Sequence, residues 1–95
     1  MAAYVIVDIQ VTDPAGYAEY RQLAPPIVAA YGGRYLVRGG ALETLEGNWT
    51  PQRLVILEFP SLAQAKAWWD APEYRPLREM RQRATISKMI VVEGV

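Results

Sequence analysis

The chain has 95 residues, enough for one small domain with a thin core. Ten Lys and Arg balance ten Asp and Glu, so no net charge draws it to nucleic acid or to an anionic membrane. Cysteine and histidine are both absent. That excludes a disulfide framework, thiol chemistry, the commonest metal ligand and the commonest general base near neutral pH.

Tyr4 to Val11 alternates with period two and is rich in β-branched residues, the pattern of a strand. Val5, Val7, Ile9 and Val11 share one face. Tyr4, Ile6, Asp8 and Gln10 share the other. Asp13 then caps a helix and Pro14 fits its first position. Tyr17, Tyr20, Leu23, Ala24, Ile27, Val28 and Tyr31 recur at helical spacing. Pro25-Pro26 predicts a break or kink near Ala24 with a short second helix after it, because proline lacks the N–H and crowds the preceding turn. Gly32-Gly33 ends the helix.

Arg34 to Arg38 is the second strand. Gly39-Gly40 marks a bulge or a close backbone approach, with the strand resuming through Ala41 to Glu46. Gly47-Asn48 makes a turn. Arg53 to Phe59 is the third strand, with Val55, Leu57 and Phe59 opposite in facing to Leu54, Ile56 and Glu58. Ser61 and Gln64 form a capping box for a helix running to about Trp69. A further helical piece covers roughly Glu73 to Arg83, with Tyr74, Leu77 and Met80 on one side and Arg75, Arg78 and Arg81 on the other. Thr85 to Glu93 is the last strand.

The order β-α-β-β-α-β predicts a single α+β domain over residues 1–95. One antiparallel sheet in spatial order 4-1-3-2, with the helices on one face, satisfies it: the ferredoxin-like arrangement. No stretch is apolar for long enough to span a membrane and no secretion signal is evident, so the expected location is cytoplasmic.

The chain also resembles the DUF1330 family of small bacterial proteins. The matching pieces are Asp13-Pro14 with Tyr17 and Tyr20, the run Gly32 to Gly40, Glu46-Gly47 with Trp49, and Glu58-Phe59-Pro60-Ser61. Ala67-Trp68-Trp69, Glu73-Tyr74, Arg81 and Glu93-Gly94 complete them. Pro25-Pro26 and the pair Trp68-Trp69 look like local variants. The resemblance implies a ferredoxin-like fold that pairs through its open sheet face into a dimeric α+β barrel. It implies no established activity.

By strand parity the face away from the helices gathers Ile6, Asp8, Leu36, Arg38, Leu54, Ile56, Glu58 and Ile90. A one-residue slip reverses such an assignment. Two readings follow. In one, Arg38 neutralises Asp8 and Glu58 in a structural ion network, since a buried charge must be paired. In the other, Arg38 binds an anionic or carbonyl-bearing ligand, with Asp8 or Glu58 as a carboxylate base activated by burial. With histidine absent, acid-base work falls to Asp8, Glu43 or Glu58, and whether the protein is an enzyme stays open.

Tyr20 and Tyr74 are read first as packing residues with their hydroxyls on a partner, second as donors at a cavity mouth. Trp49 either closes a pocket or lies in the dimer seam, and the seam is preferred. The arginines from Arg75 to Arg83 read as a solvated face, with Arg81 able to turn inward. No cofactor, metal, nucleic acid or membrane partner is expected. A second copy of the chain and a small organic ligand are.

Overall fold

The computed structural model describes residues 1–95. Its elements are β1 (Ala3–Val11), α1 (Pro14–Ala30), β2 (Arg34–Arg38), β3 (Arg53–Phe59), α2 (Leu62–Asp70), α3 (Arg75–Ala84) and β4 (Thr85–Glu93). The four strands form one antiparallel sheet in the order β2-β3-β1-β4, the predicted order read from the other edge.

The alternation in β1 is realised residue by residue. Val5, Val7 and Ile9 are buried under the helices, while Tyr4, Ile6 and Asp8 are half-covered on the opposite face. Val55, Leu57 and Phe59 extend the buried row across β3. From the helix side, Phe59 packs against Trp68 with ring centroids 5.3 Å apart, and Trp68 against Tyr74 at 4.3 Å. These three rings are almost wholly buried. Truncating a buried ring of this kind costs about 3–5 kcal/mol.

The N-caps act as read. Asp13 Oδ1 accepts from Gly16 N at 3.3 Å, and Ser61 Oγ accepts from Gln64 N at 3.1 Å. At the end of α1, Gly32 takes φ 82°. Its N–H and that of Gly33 bond back to Ala29 O and Val28 O, both at 2.9 Å, closing the helix with a glycine cap.

Three expectations are corrected. First, α1 is not broken at Pro25-Pro26; one helix of 17 residues runs through them. Pro25 cannot donate to the carbonyl of Arg21 four residues earlier, but Arg38 Nη2 donates to that oxygen at 2.7 Å. The carbonyl orphaned by Pro25 is thereby satisfied. Second, Ala41 to Glu46 does not resume the strand; no regular element lies between Arg38 and Arg53. Third, the bulge comes before the glycine pair. Tyr35 faces Leu57, but Val37 faces Ile56 and Arg38 faces Val55, so one residue is inserted at Leu36. From there the parity of β2 is reversed, and Arg38 belongs to the helix side of the sheet.

Candidate functional site

The reversal at Leu36 decides what stands near what. On the open face, the expected trio of Asp8, Arg38 and Glu58 does not form. Glu58 instead pairs with Arg34, Oε1 to Nε at 2.7 Å. Asp8 Oδ2 accepts from the indole Nε1 of Trp49 at 2.8 Å. Register separates the two carboxylates along the sheet: Glu58 lies opposite Tyr4, whereas Asp8 lies opposite Leu54. Trp49 thus bends back over the open face and stays 57% exposed.

On the helix side, Tyr35 and Arg38 of β2 meet α1. The Arg38 guanidinium lies over the Tyr35 ring, 4.7 Å from its centroid, while it holds Arg21 O. Gly39 completes this corner. Its φ is 74°, and a Cβ there would collide with the Arg53 guanidinium. Arg53 occupies that space because its Nε donates to Tyr17 Oη at 3.0 Å.

Behind Arg38 lies a small cavity of about 20 Å³. Tyr17, Tyr20 and Tyr35 border it with Arg21, Arg38 and Arg81, and no carboxylate does. The Tyr20 and Tyr74 hydroxyls share a hydrogen bond of 2.8 Å. Tyr74 is fully buried, so it serves as the partner of Tyr20 rather than as a cavity-mouth donor. Burial pushes the Tyr20 phenol well above its ordinary range, Tyr74 beside it adds to the rise, and Arg81 opposes it. Burial raises Tyr35 too, against the nearby Arg38 charge. Both phenols therefore stay protonated at neutral pH.

Arg81 forms the inner wall. It is 4% exposed, against the expectation of a solvated arginine stripe and in line with its turning inward. Its Nη1 donates to Ser87 Oγ at 2.7 Å, and its Nε has no acceptor. Arg75 and Arg83 remain exposed, and Arg78 is half-covered, stacked on Trp69 at 4.1 Å. The signal for Arg81 was its spacing. Tyr74, Leu77, Arg81 and Ala84 form one buried stripe of α3 at helical intervals.

The polar groups bordering the cleft are therefore donors, guanidinium groups and protonated phenols, set among Val7, Ile9, Val55, Leu57 and Met89. Such a set can bind an oxyanion or polarise a carbonyl. No group of three or more acidic side chains could hold a metal ion, and no helix is long and apolar enough to cross a membrane.

Solved structures share this fold. A protein of unknown function from Rhodopseudomonas palustris superposes with TM-score 0.78 at 21% identity, covering 99% of this chain and 82% of that one. A dimeric ferredoxin-like protein of unknown function from Jannaschia sp. CCS1 gives 0.67 at 12%, covering 99% and 100%. SnoaB, a cofactor-independent oxygenase from Streptomyces nogalater, gives 0.64 at 11%, covering 99% and 92%. No curated protein matches the chain. At these identities the likeness concerns the fold alone, which is ferredoxin-like. The family is shown by sequence: a family model matches residues 2–95, and the chain belongs to the family described as Domain of unknown function (DUF1330).

Proposed function

We propose that the chain is a single domain that forms a homodimer through its open sheet face and binds a small anionic or carbonyl-bearing ligand at Arg38, on the helix side of the sheet. The observation that carries the ligand reading is the acid-free cleft. Arg38 stands at its mouth and Arg81 at its inner wall, with protonated Tyr20 and Tyr35 between them. About 20 Å³ admits one oxygen-sized group, so the ligand's oxygen enters and its body stays outside. Asp8 and Glu58 lie on the other face and have no part in this site. Dimerisation is supported by the apolar open face, where Ile86 and Ile90 are 61% and 62% exposed, and by the dimeric Jannaschia neighbour.

A thermal-shift screen against small carboxylates and aldehydes tests the ligand reading. Wild type is stabilised by at least one of them in a saturable manner, and Arg38→Ala is not. Equal stabilisation of the two proteins contradicts it.

A second reading makes Arg38 structural within a non-catalytic dimeric module. Its hydrogen bond to the Arg21 carbonyl that Pro25 leaves free favours this. The two readings separate in Arg38→Lys. Lysine keeps the charge but loses the planar fork, so oxyanion binding weakens more than stability does.

A further inference from the structure

β4 is an edge strand, and its helix-side face is only partly roofed. α2 is short, 9 residues, and α3 runs alongside α1. Between α2, the end of α3 and β4 an open groove of about 670 Å³ remains. That volume lies within the range of small-molecule sites. Leu62, Trp69, Met89 and Val91 supply apolar lining. Lys66 and Asp70 on α2 offset each other in charge.

Arg81 and Trp68 also line the groove. Each carries a buried donor without a protein acceptor: the Arg81 Nε and the Trp68 indole Nε1. Buried polar groups are normally paired, and an unmade hydrogen bond to a charged group is the costlier kind. Arg81 is only 4% exposed and has no carboxylate partner; the ion pair of this structure is Arg34–Glu58. A leucine or methionine at 81 would fill the same stripe of α3 without that penalty. The lining thus combines an apolar wall with one buried cation that has a hydroxyl but no carboxylate partner.

We propose that this groove binds a small organic monocarboxylate with an apolar body. The carboxylate meets the Arg81 guanidinium, and the body lies along Met89, Val91 and Trp69. One unpaired guanidinium matches one carboxylate, and its planar fork suits that geometry. The groove adjoins the Arg38 cleft: Arg81, Trp68 and Met89 border both, but Arg38 borders only the smaller cavity.

Calorimetric titration with cinnamate and its neutral counterpart cinnamamide provides the test. Cinnamate binds saturably and the amide at least tenfold more weakly. Val91→Trp fills the groove from a partly exposed position and weakens cinnamate at least tenfold; Arg81→Gln does the same. Where Arg81→Gln does not fold, Val91→Trp decides. The proposal is overturned by absent saturable binding, by equal binding of acid and amide, or by unchanged affinity in Val91→Trp. Loss in Arg38→Ala with retention in Val91→Trp also overturns it and leaves the Arg38 site standing.

Discussion

Arg38 Nη2 donates to the carbonyl oxygen of Arg21 at 2.7 Å, and that oxygen is the acceptor which Pro25, lacking an N–H, leaves free within α1. One contact thus joins the edge strand to the helix. It also points the guanidinium away from the carboxylates of the open face.

This relationship predicts coupling between two residues distant in sequence. Arg38→Ala should destabilise the protein by about 1–2 kcal/mol, the scale of a hydrogen bond from a charged donor. In the Pro25→Ala background the helix N–H takes the same carbonyl, and the cost should fall below about 0.5 kcal/mol. Urea unfolding of the four proteins as a double-mutant cycle checks it. An unchanged cost in the Pro25→Ala background contradicts the account.

Gly39→Ala should destabilise by about 1–2 kcal/mol or more, because a left-handed backbone is unfavourable for alanine and the new methyl displaces Arg53 from Tyr17. Gly40→Ala is the control: a Cβ there meets nothing, and its φ is not positive. Comparable unfolding midpoints for the two variants would count against the assigned role of Gly39.

Much of the fold was legible because strand parity and capping residues are local signals. Asp13, Ser61 and Gly32 act where the sequence placed them, and the alternation in β1 and β3 correctly sorts both faces. The site was less legible because its geometry depends on one inserted residue. Nothing about Leu36 announces a bulge, and the glycine pair drew attention three residues too late. Once parity reverses there, Arg38 leaves Asp8 and Glu58, and those acids take Trp49 and Arg34 instead. Pro25-Pro26 misled for a related reason: the missing N–H is visible in sequence, but the arginine that serves its carbonyl comes from another element.

The buried phenols predict alkaline sensitivity. In the unfolded chain Tyr20 and Tyr35 ionise near their ordinary value of 10.0, whereas burial holds both protonated in the fold. Ionisation therefore favours the unfolded state. This contribution to stability is intact below about pH 10 and is lost as pH rises beyond it. Urea midpoints should be flat from neutral to mildly alkaline pH and fall above about pH 10. Tyr20→Phe removes one titrating group and should flatten the fall, while leaving the buried Tyr74 hydroxyl unpartnered at a cost of about 1–3 kcal/mol. A pH profile identical to wild type would contradict the assignment.

The open face predicts an assembly. Ile90→Asp places a charge opposite Ile6 and beside Val92 on the surface proposed to pair, at a position already exposed. Analytical ultracentrifugation should show a wild-type dimer and a monomeric variant with unchanged circular dichroism. A monomeric wild type would remove the dimer from the proposal and leave the cleft intact.

The most direct measurement is the arginine side-chain Nε–Hε spectrum of the labelled protein during titration with acetate and with acetaldehyde. Arg38 is predicted to give a resonance that shifts saturably with at least one of them, and Arg38→Ala should lose that resonance and the binding together. An Arg38 resonance that stays still while others move, or binding that survives Arg38→Ala unchanged, would contradict the placement of the ligand at Arg38.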